Sequence, residues 1–215
     1  MPIISFSHPK GGVGKTTLCF NFLVYLELQK KDFVCIDLDG QNSITNLNKI
    51  RKLSGLSPFE IISFKNENSL IDFLETNQQK TIVIDSGGFD SGFNRIILSA
   101  SDKILTPFSD SPLEILRLID FDQSILTEIE KQTKQKIKID LVINRISSNV
   151  KNLDNITSQI DNCKHFSIAK NIIRDRIIFK NSLTEGKGVL EVDSKSTSDL
   201  KAKEELNSLF KEFNL

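Results

Sequence analysis

The chain has 215 residues, with 28 Lys plus Arg balanced by 28 Asp plus Glu and 39% hydrophobic residues. That length suits one α/β domain, spanning residues 1–215, and zero net charge excludes a protein-wide field for nucleic acid or membrane, so any basic surface is local. Three cysteines without a C-x-x-C pair give no disulfide framework, and no apolar run approaches the ~20 residues of a membrane span, so a reducing cytoplasm is the expected setting.

The first element read is a strand at Ile3–Ser7, followed by Lys10–Thr17, KGGVGKTT, and a helical stretch Lys15–Lys30. Strand, glycine-rich loop and helix form a phosphate cradle. Gly11, Gly12 and Gly14 let backbone N–H groups, Val13 included, approach a polyphosphate closely. Lys15 is placed to reach the β/γ-phosphates, Thr16 to ligate Mg²⁺ and Thr17 to continue the cradle. Pro9 stands where the ordinary phosphate-loop pattern needs glycine, and a second lysine, Lys10, opens the loop instead. The loop begins within ten residues of Met1, so no signal peptide is expected ahead of it.

A second strand, Phe33–Asp37, leads into Asp37-Leu-Asp39-Gly-Gln41 and a helix at Ser43–Leu53. Ligands of open α/β sheets bind beyond the carboxyl ends of strands, which points both carboxylates toward the phosphate loop. Asp39 is read as orienting water against the γ-phosphate and as a metal candidate, and Asp37 as supporting Thr16 or Mg²⁺ from behind. A weak strand near Phe59–Phe64 and a helix at Ser69–Asn77 follow. Thr81–Asp85 is an apolar strand ending in a carboxylate, the form of a Mg²⁺-supporting Asp85. Gly87 and Gly88 beyond it leave space for a nucleotide-sensing switch. The pattern continues with a helix at Phe93–Ala100, a strand at Lys103–Pro107, a long helix at Pro112–Lys134, a strand at Ile137–Asn144 and a helix at Val150–Asp161. Asn144, with one amide donor side and one acceptor, is suited to the adenine edge, with Arg145 beside it. Runs with little polar alternation, separated by helices, describe a doubly wound, mostly parallel sheet flanked by helices.

Lys164, Lys170, Arg174, Arg176, Lys180 and Lys187 give six cations against Asp175 and Glu185, a candidate phosphate-binding patch for DNA. His165 beside it reads as structural. Near the C-terminus, Leu206, Leu209, Phe210 and Phe213 share a helical face. The opposite face mixes Lys201, Lys203 and Lys211 with Glu204, Glu205 and Glu212, so packing into the core is expected rather than membrane anchoring.

Together these residues resemble the ParA family of partition ATPases, within the deviant Walker A group of P-loop NTPases that also contains MinD and the nitrogenase iron protein. Lys10–Thr17 is similar to the deviant phosphate loop, Ile36–Gln41 to D-x-D-P-Q, Ile82–Gly88 to the Walker B strand, Ser101–Phe108 to the following strand and Val142–Arg145 to the adenine-binding strand end. Ile173–Glu191 resembles the late segment R-x-x-F…EG-x-x-V-x-E. Gly40 departs from the usual proline, and Ser86-Gly87-Gly88 from the usual switch sequence. The resemblance implies an ATP- and Mg²⁺-dependent homodimer in which Lys10 of each subunit enters the other's site. It also implies non-specific DNA binding, a ParB-type partner that stimulates hydrolysis, and a nucleoid-associated location in the cytoplasm without stable membrane association. A MinD-like or polar-localisation ATPase moving protein cargo is the alternative. An iron–sulfur reductase is disfavoured because Cys19, Cys35 and Cys163 lack the context of cluster ligands, and no motif marks the second substrate pocket a synthetase needs.

Overall fold

The computed structural model describes residues 2–77, 79–88 and 90–213. Strands β1 (Ile3–Phe6), β2 (Phe33–Leu38), β3 (Ile61–Ile62), β4 (Thr81–Ser86), β5 (Lys103–Phe108), β6 (Ile139–Ile143) and β7 (Phe166–Ile168) form one parallel sheet in the order β3-β2-β4-β1-β5-β6-β7. Strand β1 is central: the chain leaves it toward β2 on one side, and after β4 it crosses to β5 on the other. The loop leaving β1 therefore sits at the topological switch point, where an open sheet leaves a crevice. Register sets Phe6 and Asp37 on either side of Asp85, so two carboxylates end neighbouring strands at one level.

Helix α1 (Lys15–Leu28) is buried continuously from Leu18 to Leu26. A helix apolar all round needs cover on every side. It lies on the sheet beneath α9 (Thr197–Glu212), whose Leu206, Leu209 and Phe210 are fully buried in the same core cluster. Phe210 packs its ring 5.1 Å from Phe22 and 5.2 Å from Tyr25. The C-terminal apolar face is thus core, as its mixed-charge outer face implies. Buried Asn21 inside α1 donates to the Thr17 carbonyl and accepts from Val189 N–H, tying the helix to the late segment. The opposite face of the sheet is covered by α3 (Glu67–Thr76) and α4 (Gly92–Ala100) near β2 and β4, and by α5 (Pro112–Phe121) and α6 (Thr127–Thr133) near β5 and β6.

Arg51, in α2 (Ser43–Leu53), is 2% exposed and pins the late segment to α1. Its guanidinium grips both Glu191 oxygens at 2.8 Å, Glu27 at 2.6 Å and the carbonyls of Ser57 and Gly186. Gly186 has φ +64°, and a Cβ there would stand 2.3 Å from the Arg51 Cα, so this close approach requires glycine.

Three expectations change. The long helix at 112–134 contains a π-helical segment, Asp122–Leu126. It starts where the Asp122 carboxylate accepts from Lys164 N–H and His165 N–H and meets His165 Nδ1, a buried structural pairing that joins this helix to β7. The helix at 150–161 shrinks to the single turn α7 (Asp154–Thr157), because Arg174 takes the Ser147 and Val150 carbonyls and holds that stretch as a loop. β7 and α8 (Ile177–Thr184) add to the elements read from sequence.

Candidate functional site

Beyond the carboxyl end of β1, the loop curls with Gly12 at φ +78° and Gly14 at φ +102°, conformations that admit few residues other than glycine. It opens on a cleft of about 640 Å³ lined by Gly11, Gly12, Gly14, Lys15, Thr16 and Thr17, with Asp39, Gly40, Gln41, Ser43, Gly88 and Arg145 opposite. Lys15 is buried, its Nζ donating to the Lys10 carbonyl at 3.1 Å, and burial lowers its pKa. A lysine folded onto its own loop is a cation ready to exchange that carbonyl for a phosphate oxygen. Val13 is fully buried, and its carbonyl accepts from Asn144 Nδ2 at 3.1 Å.

Thr16 Oγ1 donates to Asp85 Oδ2 at 2.7 Å, while buried Asp85 Oδ1 has no partner among the described residues. Burial, reinforced by the neighbouring Asp37 and Asp39, lifts the Asp85 carboxyl to about 7 despite the Thr16 hydroxyl and Lys15. A loop hydroxyl joined to a carboxylate with one unused oxygen fits Mg²⁺, a hard cation that takes its remaining ligands from phosphates and water. Among the described residues no cluster of three or more His, Cys, Asp or Glu would hold a metal unaided. The Thr16 hydroxyl and the unused Asp85 oxygen fit the ion when phosphate and water complete its ligands.

Asp39 lies at the cleft edge, held by Gln41 N–H at 3.3 Å and the Ser43 hydroxyl at 2.9 Å, with no hydrogen bond to Thr16 or Asp85 among the described residues. Its position suits water orientation better than metal ligation. Asp37 corrects the sequence reading: it accepts from Asp39 N–H at 3.1 Å and from Thr45 N–H and Oγ1 at 3.2 and 2.5 Å, so it builds the β2–α2 turn rather than supporting Thr16. Gly88 packs so tightly that an added Cβ would lie 2.7 Å from Gly11 N, which couples the segment after β4 to the phosphate loop.

Residues 4–189 match the family described as the CobQ/CobB/MinD/ParA nucleotide binding domain. The chain belongs to this family. Its fold is similar to that of a Borrelia burgdorferi protein assigned to plasmid partition and bound to AMPPNP, at 19% identity over 99% of both chains and TM-score 0.66. Apo McdA of Cyanothece matches at 17% identity over 99% of both chains with TM-score 0.74, and the MinD cell division protein of Aquifex aeolicus at 17% over 98% of both with TM-score 0.66. No curated protein sequence gives a significant match.

In this MinD/ParA-type chain a second cavity, about 270 Å³, adjoins the phosphate cleft through Gly14, Thr17 and Arg145. Its walls include Leu18, Asn144, Ile173, Arg176, Phe179 and Leu183. Apolar walls beside a phosphate loop suit a nucleotide base. Sequence reading placed Asn144 here but missed Ile173, Phe179 and Leu183 as walls, which come from one late segment far from Gly14 in the chain. Asn144 spends one amide hydrogen on Val13, leaving the other donor and its oxygen for a ligand.

The six cations of the candidate DNA patch are not brought together as one free surface. Lys164 precedes β7, at the sheet end away from the loop, and pairs with Glu130. Arg174 is bound to carbonyls, Arg176 to Glu205 at 2.6 Å, and Lys187 to Glu185 at 2.7 Å. Lys170 and Lys180 are exposed without an ion pair among the described residues.

His8, just before the loop, is 1% exposed, with Nδ1 accepting from Lys10 N–H at 2.9 Å. Burial, then the Lys15 charge, pushes its pKa down to about 3. Below the unfolded value of about 6.5 the unfolded chain binds a proton that the folded chain refuses, so this group lowers stability as pH falls. His8→Asn retains a side-chain acceptor for Lys10 N–H but does not titrate. The natural chain is expected to lose about 1.4 kcal/mol per pH unit relative to that variant between pH ~6.5 and ~4. Parallel pH profiles in chemical denaturation would contradict the assignment.

Proposed function

We propose that the chain is an ATP-hydrolysing partition ATPase whose ATP-bound homodimer binds DNA without sequence preference and is stimulated by a ParB-type partner. A cytoplasmic, nucleoid-associated location follows from that role. The observation that carries this reading is the split between the two lysines. Lys15 is buried against the loop, whereas Lys10 is 41% exposed at its mouth, with its ammonium directed over α5. A cation outside its own cleft is placed to serve another.

In the proposed reaction Lys15 exchanges the Lys10 carbonyl for phosphate oxygens, and Thr16 and Asp85 would hold Mg²⁺. Bound there, the ion would supply positive charge against the phosphate oxygens. Asp39, fixed by Gln41 and Ser43, orients water in line with the γ-phosphorus; the new P–O bond forms as the bond to the β,γ-bridging oxygen breaks. Lys10 of the second subunit stabilises the charge spread over the phosphoryl oxygens. The base rests in the cavity of Ile173, Phe179 and Leu183. DNA contact falls to Lys170 and Lys180, duplicated by the dimer, since avidity multiplies weak contacts. The burial of the α9 apolar face disfavours the membrane-positioning alternative.

Retention on random duplex DNA tests the role. Retention is expected with ATP but not ADP, to fall steeply with salt, and to weaken about tenfold or more in a Lys170→Ala/Lys180→Ala double variant. Absence of nucleotide-dependent retention, with ATP hydrolysis intact, would move the assignment to a protein-positioning ATPase.

A further inference from the structure

We propose that Glu114 is a positioning residue that holds Lys10 within its own subunit until the dimer forms. This rests on the reading above, that Lys10 acts across a dimer. Glu114 lies in the first turn of α5 and turns inward beneath the phosphate loop, its side chain 6% exposed. One carboxylate oxygen accepts from Ser109 N–H at 2.8 Å and from Ser109 Oγ at 2.9 Å. The other faces two cations, Arg145 Nη2 at 3.3 Å and Lys10 Nζ at 3.7 Å. Arg145 also donates to the Gly12 carbonyl at 2.8 Å, so the single carboxylate meets the loop at Lys10 directly and at Gly12 through Arg145.

The two pairings differ in what they allow. Arg145 is tied to the loop by its bond to the Gly12 carbonyl, so Glu114 keeps one cationic partner when Lys10 leaves. Departure of Lys10 therefore does not strand a buried charge, the outcome that makes breaking such pairs costly. Lys10 is the more distant partner, at 3.7 Å against 3.3 Å for Arg145, and it borders a shallow surface formed by Leu113, Leu116, Arg117 and Asp120 of α5. Leu113 and Leu116 are 67% and 61% exposed there. Glu114 is thus a releasable hold: strong enough to bias Lys10 inward, weak enough to yield to a phosphate in a second subunit.

The test is E114Q, which keeps an acceptor for Ser109 and nearly the same volume. In the nucleotide-free monomer, acylation of Lys10, read by mass spectrometry against Lys170, is expected to rise about threefold, the scale of a half-exposed ion pair. With a slowly hydrolysed ATP analogue, the protein concentration at half-dimerisation is expected to fall by about the same factor, and to rise in K10A. An unchanged Lys10 acylation rate overturns the hold itself. An unchanged or raised dimerisation midpoint in E114Q, where K10A raises it, overturns the gating. An unchanged midpoint in K10A instead overturns the trans-lysine reading on which the proposal stands. Thermal unfolding of E114Q confirms that each comparison is between folded proteins.

Discussion

Lys10→Ala is expected to bind ATP with nearly the affinity of the natural chain yet lose about a thousandfold in dimer-dependent hydrolysis, the range seen for cations delivered in trans to phosphoryl transfer. The expectation follows from position. Lys15, Thr16 and Gly14 line the phosphate cleft, whereas the Lys10 side chain leans over α5 toward Glu114. Removing it leaves the phosphate-binding N–H groups in place and deletes the charge that another subunit would use, together with the pairing to Glu114. Lys15→Ala should behave oppositely, weakening nucleotide binding itself. Fluorescent-nucleotide titration and single-turnover hydrolysis separate the two. Loss of ATP binding in Lys10→Ala, or undiminished hydrolysis, would show that Lys10 works in its own site or not at all.

The second large effect concerns stability. Arg51→Ala is expected to cost about 3–5 kcal/mol, because removing one partner of a buried ionic network leaves the others uncompensated. Glu27 and Glu191 would face each other without their shared cation, and the Ser57 and Gly186 carbonyls would lose their donors. At this chain length that corresponds to a fall in melting temperature of roughly 10 °C. Arg51→Lys should recover only part of the loss, since a point charge cannot reproduce the bidentate grip on Glu191. A change below about 1 kcal/mol in urea denaturation would mean that the network is not holding the late segment to α1 and α2.

What sequence alone could reveal divides along physical lines. The phosphate loop was legible because close backbone approach demands glycine at fixed spacing, and the central strands because burial on both faces leaves them apolar throughout. Asp85 was legible as the polar residue ending such a strand. Asp37 was misread: its distance in sequence from the loop says nothing about Thr45, which claims its carboxylate. The π-helical segment depends on Asp122 meeting Lys164 and His165 more than forty residues later, a pairing with no local signal. Glu114 in a first helical turn reads as ordinary dipole compensation. Its place beside Ser109, Lys10 and Arg145 emerges only when β5, β1 and β6 are set side by side. The base-pocket walls were hidden for the same reason, Ile173, Phe179 and Leu183 being ordinary apolar residues until the chain folds them against Gly14 and Asn144.

The most direct test of an ATP-switched dimer is molecular mass in solution by light scattering with ADP, ATP and a slowly hydrolysed ATP analogue. A monomer with ADP and a dimer with ATP or the analogue are expected, with Asp39→Ala holding the dimer longest under ATP. A single mass in every nucleotide state would contradict the account, because Lys10 would then have no second site to enter.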